Sequence, residues 1–337
     1  MRRAVEFVVD RTMYGDGYTP PRGVYGDLDR AVRTDLLFHY STPVCAQRWL
    51  DVCEDPAYGH RALLDGVSGV MPGVAEALRA DSGDRRRLTL LSLGPGDGSV
   101  DERMLLGLAA TLEPVSYVGL DFSFELLRRA IHRLARTPGL PAGLALTAIC
   151  GDFTGLGSLP VRAGDSDAVH LFALTGFTFG NYDEGALLRS IGALMSAGDY
   201  LFLDARLHSF GSLPVDLGPL DLGRGGPLAS YDLETVRRFV FGPVEVATTA
   251  TASDVEFGFE LGRRVTAVPH ALNLVIYCTG LDTTSRLTGE RIRRDRLDLA
   301  VTTSYHLPAL ASWLGESGLA PVWQGTADGM AFFLLRR

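Results

Sequence analysis

The sequence predicts an α/β fold: a seven-stranded, mostly parallel sheet with an antiparallel last strand, a helical N-terminal lead-in and a β-rich insertion. Three observations carry this reading. Short apolar segments alternate with helical periods between about residues 85 and 206. Period-two alternation replaces that rhythm between about 206 and 304. The chain then closes with a helix and two strands joined by the hairpin-like "GTADG".

Taken in order, residues 1–80 form the lead-in: a Gly/Pro/Tyr-rich opening, "MYGDGYTPPRGVYGDLD", then helical patterns over 27–51 and 60–79. Strands are expected at 88–93, 116–120, 145–149, 168–174 and 200–205, with helices at 100–110, 124–135 and 183–195 between them. The insertion begins with the loop "FGSLPVDLGPLDLGRGGP" and a short helix after Tyr231. Its alternating segments are "VEVATTATA", "DVEFGFELG" and "ALNLVIYCTG", each read as a strand. A helix over 308–315 and strands at 320–324 and 330–335 finish the chain. The expected organisation is therefore a lead-in over 1–80, a core domain of 81–206 plus 305–337, and an accessory region of 207–304.

Composition narrows the function classes. At 337 residues the chain has room for one α/β domain and an accessory region. Its 40 acidic and 32 basic residues give a net charge of −8, and the arginine clusters at 85–87 and 291–294 are short and free of aromatic residues. An extended nucleic-acid surface is disfavoured. Cys45, Cys53, Cys150 and Cys278 lack CxxC pairing or histidines at metal-ligand spacing, so they read as reduced packing thiols with no metal site. No apolar run is long enough to span a bilayer, and the N-terminus lacks the apolar core of a leader. The expected setting is cytoplasmic and the expected partner a small molecule, with no nucleic acid or membrane. The oligomeric state is not readable.

The chemistry begins at "LTLLSLGPGDGSVDERML", residues 88–105. A strand that ends in glycines and enters a helix lets backbone N–H groups approach a ligand near the positive end of the helix dipole. A dinucleotide site asks for G-x-G-x-x-G, whereas Gly94, Gly96 and Gly98 read G-x-G-x-G, with Ser99 at the position of the third glycine. That spacing is associated with S-adenosylmethionine. Asp121, followed by Phe122, ends the next strand, where a carboxylate can accept both ribose hydroxyls. Asp121 or Ser123 capping the following helix is the competing role. Asp152 and Phe153 follow the third strand, placed to hold an exocyclic amine and cover a purine face. Together they read as a nucleoside crevice.

With these residues in place, the chain resembles the class I (Rossmann-like) S-adenosylmethionine-dependent methyltransferases over about 85–206 and 307–337. The resemblance implies a seven-stranded sheet with a reversed final strand and S-adenosyl-L-methionine as cofactor. That family usually carries an acidic residue two positions before the first glycine; here it is Ser92, and Asp97 inside the turn is the candidate replacement.

A narrower likeness lies after the fourth strand. "GFTFGNY" looks like the G-S-T-I-G-N-F stretch of the EgtD-like histidine-specific methyltransferases, and "FHYSTPVCAQRWLDVCEDPAYGHR" is similar to that family's Y-D-x-R-G-S-x-L-F…L-P-E-Y-Y segment. The resemblance implies that Asn181, beside Gly176, binds the acceptor's amine or carboxylate, that Tyr40 and Tyr58 orient the acceptor through their hydroxyls, and that Trp49 lines the pocket. Asn181 capping the next helix is the alternative. The family's E-x-S stretch, whose carboxylate receives an imidazole, corresponds here to Thr302-Thr303-Ser304: the serine is kept at Ser304 and the carboxylate is missing at Thr302. The R-G-S turn is missing as well. A hydroxyl does not replace a carboxylate toward an imidazolium, so the expected activity is N-methylation of a small amino acid or amine other than histidine, in specialised metabolism. A cofactor-binding sensor without turnover and a nicotinamide-dependent dehydrogenase are the alternatives, the latter disfavoured by Ser99.

Overall fold

The computed structural model describes residues 5–9, 36–153, 167–208, 229–262 and 266–337. Its centre is a sheet of eight strands: β1 (Val5–Val9), β2 (Arg87–Leu93), β3 (Glu113–Asp121), β4 (Ala145–Cys150), β5 (Ala168–Leu174), β6 (Tyr200–Arg206), β10 (Ala320–Ala327) and β11 (Met330–Arg336). Their spatial order is β1-β4-β3-β2-β5-β6-β11-β10. β11 runs antiparallel to both β6 and β10. The reversed strand is therefore as expected, while the eighth strand, β1, is an addition at the edge beside β4. Its five residues sit before a Gly/Pro-rich stretch and carry too little pattern to stand out.

β2 shows why the interior strands read so clearly. Its residues are buried on both faces from Leu90 to Leu93, as in a strand covered by helices on each side. One core lies between the sheet and α2 (His60–Asp81), α3 (Ser99–Leu108) and α4 (Phe124–Arg136). The other lies under α5 (Glu184–Leu194) and α7 (Leu307–Glu316). α4 illustrates the local logic: Ser123 Oγ caps it by accepting from the Leu126 amide, Glu125 lies in its first turn, and Arg133 and Arg136 lie in its last. Leu126, Leu127, Ala130, Ile131 and Leu134 form its buried stripe.

A third core joins α1 (Pro43–Glu54) and α6 (Glu234–Ala247) to a separate antiparallel sheet of β7 (Glu256–Gly262), β8 (Leu272–Thr284) and β9 (Arg291–Ser304). Here two readings need correction. "VEVATTATA" is no strand: Val244–Ala247 complete α6, a 14-residue helix where a short one was expected. Its alternation of valine and alanine also satisfies a helix whose face packs on Val240 and Phe241, and β-propensity yields to that burial. Of the helical pattern over 27–51, the described part is a 3-10 turn at Leu36–His39 followed by α1, which starts at Pro43 after the cap Thr42. The opening "MYGDGYTPPRGVYGDLD" and the loop "FGSLPVDLGPLDLGRGGP" lie outside the described residues. The last hairpin is tighter than "GTADG" implied. Asp328 and Gly329, at φ 47° and 75°, form the whole turn, so β10 extends to Ala327.

Gly98 ties two helices together. A Cβ there would fall 2.7 Å from Ala130 Cα in α4, and its φ is +78°. Gly98→Ala is expected to lose about 2–4 kcal/mol in chemical denaturation, from left-handed strain plus overpacking against backbone. Gly83→Ala, at φ +68° with nothing within 4 Å, carries the strain alone and should lose only about 1–2 kcal/mol.

Candidate active site

The carboxyl ends of β2, β3, β4 and β5 open on one crevice. Gly94, Gly96, Asp97, Asp121, Phe122, Asp152 and Phe153 all line it. Gly98 does not, being spent on helix packing. Gly94 and Gly96 have φ of 75° and 56°. A Cβ on Gly94 would point at Phe153 and Thr178, and one on Gly96 at the Trp49 indole 3.7 Å away. Side chains there would fill the crevice, so the glycines keep it open for a ligand lying against the turn.

Asp121 fixes that turn. Its Oδ2 accepts from the Gly96 amide (3.3 Å) and its Oδ1 from the Ser123 amide (2.8 Å). Burial outweighs these two bonds and pushes its carboxyl up to about 7. Asp97 behaves oppositely. Burial raises it, but hydrogen bonds from Ser99 and the Arg133 guanidinium, 2.6 Å away, prevail and hold it below the usual range.

The unusual Ser92 has a partner the sequence did not disclose. Its hydroxyl donates to Asp101 Oδ1 (2.9 Å), and Tyr117 donates to Asp101 Oδ2 (2.6 Å). Asp101 is fully buried beneath the turn, where burial drives its carboxyl up to about 6 against both hydrogen bonds.

The loop after β5 joins this crevice to a second space. Asp204 on β6 is fully buried and accepts from the amides of Gly176 and Phe177, both at 2.8 Å. It thereby stabilises Phe177 at φ 61°, a conformation rare outside glycine. Burial, opposed by these bonds, raises its carboxyl to about 6. Asn181 does not cap α5; Asp183 does, accepting from the Ala186 amide at 2.7 Å. The Asn181 carboxamide has no hydrogen-bond partner among the described residues and lines both spaces, as do Tyr40, Trp49 and Gly176.

The second space is an aromatic chamber. Tyr40, Trp49, Tyr58, Tyr231 and Phe239 form its walls, with successive ring centroids 5.2–6.5 Å apart. Burial keeps the Tyr40 and Tyr58 hydroxyls protonated by pushing both far up. Thr302 reaches the chamber from β9, and buried His39, its Nε2 3.1 Å from the Val240 carbonyl oxygen, also lines it; among the described residues no Asp, Glu, Lys or Arg does. Ser304 stands apart, in an adjoining cleft with Arg206, Phe177 and Tyr58. Tyr231, Phe239, Phe177 and Arg206 were not anticipated. The first two lie on elements whose aromatic residues look like core from sequence alone.

In its α/β sheet with a reversed terminal strand, its glycine turn and the carboxylate bonded to that turn, this chain is similar to S-adenosylmethionine-dependent methyltransferases. More particularly, residues 70–208 match the family described as histidine-specific, SAM-dependent methyltransferases. No curated protein matches the chain. Among solved structures it is similar to an S-adenosylmethionine-dependent methyltransferase from Clostridium acetobutylicum, at 13% identity and TM-score 0.43, over 87% of this chain and 98% of that one. It is also similar to the glycopeptide N-methyltransferase MtfA bound to S-adenosylhomocysteine (13%, TM-score 0.39, 79% and 86%) and to the sugar N-methyltransferase KedS8 from Streptoalloteichus (10%, 0.39, 83% and 90%). Among the described residues no helix is long and apolar enough to cross a membrane, and no cluster of potential metal ligands occurs.

Asp101 supplies a pH test of the turn's support. Its folded value near 6 exceeds the unfolded carboxylate value of 3.8, so the folded state holds more protons between them and stability falls as pH rises through that window. Wild-type Tm should therefore fall relative to Asp101→Asn between pH 4 and pH 7 and then run parallel to it. A constant difference across that range, read by differential scanning fluorimetry, would show that burial does not control this carboxyl.

Proposed function

We propose that the protein transfers a methyl group from S-adenosylmethionine to the amino nitrogen of a small acceptor, an amino acid or amine other than histidine. The observation that carries this reading is the junction, at Gly176 and Asn181, of the cofactor crevice with an aromatic chamber that has no Asp, Glu, Lys or Arg among the described residues of its walls. The lead-in helix α1 and the three-stranded sheet act as the acceptor-side unit in this proposal, and residues 81–206 with 305–337 as the cofactor-side unit.

When bound, S-adenosylmethionine supplies a methyl group on a sulfonium sulfur; in-line transfer to a neutral amine needs alignment and desolvation more than acid–base help. The residues of this chain match those needs. Gly94 and Gly96 let the backbone approach the ligand, and Asp121 offers its carboxylate to ribose hydroxyls. Asp152 and Phe153 are assigned to the adenine. On the acceptor side, the Asn181 amide takes the amine or carboxylate, and the Tyr40 and Tyr58 hydroxyls donate to the acceptor. Aromatic faces of Trp49 and its neighbours stabilise the positive charge that develops on the acceptor nitrogen. Histidine suits the chamber poorly, because Thr302 gives its imidazole no carboxylate and the other chamber walls supply none.

A mass-shift screen of amino acids and amines with S-adenosylmethionine tests the activity directly. Formation of S-adenosylhomocysteine with a +14 Da product, a methylene's mass (about 14 Da), supports it; cofactor binding with no product from any acceptor favours a sensor. The division of roles is open to two variants. Asn181→Ala should lower kcat/KM for the acceptor by ~10–100-fold, the worth of one or two hydrogen bonds to a charged or polar group, with S-adenosylhomocysteine affinity unchanged. Asp121→Ala should weaken S-adenosylhomocysteine instead.

The raised carboxyl of Asp121 gives that binding a pH signature. Ribose hydroxyls donate to the ionised form, and the free protein keeps Asp121 partly protonated below about 7. Affinity for S-adenosylhomocysteine by calorimetry should rise from pH 6 to pH 8 in the wild type and stay flat in Asp121→Asn. A parallel rise in both would place the titrating group elsewhere.

A further inference from the structure

The cleft beyond the chamber holds a cation that makes no ion pair among the described residues, although Asp328 also lines that cleft and the charge of Arg206 acts on buried Asp204. Arg206, at the end of β6, has its guanidinium carbon 4.4 Å from the centre of the Phe177 ring and 5.0 Å from that of Tyr231. Its Nε is enclosed with no acceptor, and among the described residues no carboxylate lies within ion-pair distance of any of its nitrogens. Three other half-buried arginines are paired, Arg48 with Glu245, Arg129 with Glu125 and Arg237 with Asp232, while Arg85 donates to the Ser82 carbonyl. In a chain with 40 acidic residues, a half-buried guanidinium left unpaired is a standing cost. Two aromatic rings hold it in place, so its orientation is set before any ligand arrives.

Its position relates it to the acceptor. Tyr58 and Phe177 line both the chamber and the cleft of Arg206. β8 and β9 run along both: Ile276 and Thr302 line the chamber, while Leu274 and Ser304 line the cleft. A molecule whose amine lies at Asn181 can extend along this strand face toward the guanidinium. The fork of Arg nitrogens is matched to a planar carboxylate, with the Ser304 hydroxyl available beside it.

Resting on the methyltransferase reading above, we infer that Arg206 is the anchor for a carboxylate of the acceptor, which makes the substrate an amino acid and not a simple amine. The uncharged aromatic chamber then takes an aromatic or aliphatic body.

The test uses the full chain saturated with S-adenosylhomocysteine. L-phenylalanine, L-tyrosine, L-tryptophan and 3-amino-3-phenylpropanoate are titrated against phenethylamine, tyramine and tryptamine, with binding read by calorimetry. At least one amino acid should bind, and more tightly than its carboxylate-free counterpart. Arg206→Gln should weaken that amino acid by ~10–100-fold, leaving the amines and S-adenosylhomocysteine within twofold. Arg206→Lys should recover part of the loss, because it keeps the charge without the fork. Three results would overturn the inference: no amino acid of the set binding while S-adenosylhomocysteine does, Arg206→Gln binding the amino acid like wild type, or acid and amine weakening together. Failure of S-adenosylhomocysteine to bind the wild type would instead remove the methyltransferase reading underneath it.

Discussion

The pair of hydrogen bonds that Asp204 accepts from the amides of Gly176 and Phe177 is the constraint on which the site depends. The loop it pins contributes Gly176 and Asn181 to both the crevice and the aromatic chamber, and Phe177 to both the chamber and the cleft of Arg206. Without that carboxylate, Phe177 would have little reason to stay at positive φ, and its ring would leave the guanidinium it covers. The far end of the loop is fixed by packing. A Cβ on Gly180 would fall 2.7 Å from the carbonyl oxygen of Thr303, so glycine alone lets the loop lie against β9. The loop thus couples the parallel sheet to the antiparallel one, and the chamber exists where they meet.

Charge is divided along the same line. Asp97, Asp121 and Asp152 lie in the crevice, whereas the chamber has no ionisable carboxylate or cationic side chain in its lining. A cationic sulfonium ligand suits the acidic half. An amine entering the uncharged half loses water and gains no carboxylate to keep it protonated, which favours the neutral nucleophile. The buried carboxylates near the turn, Asp101 and Asp121, share a trait: burial opposes their ionisation, and hydrogen bonds only partly offset it. They hold the turn in shape at a cost in stability.

The sequence made the parallel half legible because buried strands and glycine spacing are local signals. Ser92 to Leu93, the three glycines, Asp121 and Asp152 fall where strand ends were expected, and Gly94, Gly96, Asp121 and Asp152 line the crevice. The chamber was only half legible. Tyr40, Trp49 and Tyr58 were found through their likeness to a family segment, whereas Tyr231 and Phe239 are identified as walls only when α6 packs against α1. "VEVA" was misread because alternation of small apolar residues fits a strand and a helix end alike, and only the packing of Val244 decides between them. Ser304 and Thr302 share a strand face but open on different spaces, a distinction set by where Tyr58 and Phe177 cross between them.

The match to histidine-specific methyltransferases spans residues 70–208. That segment contains the glycine turn, Asp121, Asp152, Asn181, Asp204 and Arg206, which are the cofactor wall and the junction loop. Tyr40, Trp49, Tyr58, Tyr231, Phe239 and Thr302, which line the aromatic chamber, lie outside it, whereas Gly176, Phe177 and Asn181, which line it too, lie inside. The likeness therefore covers the crevice and the junction loop but not the aromatic walls of the chamber. In the proposed reading, specificity is set by α1, α6 and β9 pressing on the junction loop, so the acceptor can change while Gly94 to Asp121 stay fixed. An aromatic chamber with threonine at the imidazole position and an unpaired arginine one strand step beyond is the physical form that such a change takes here.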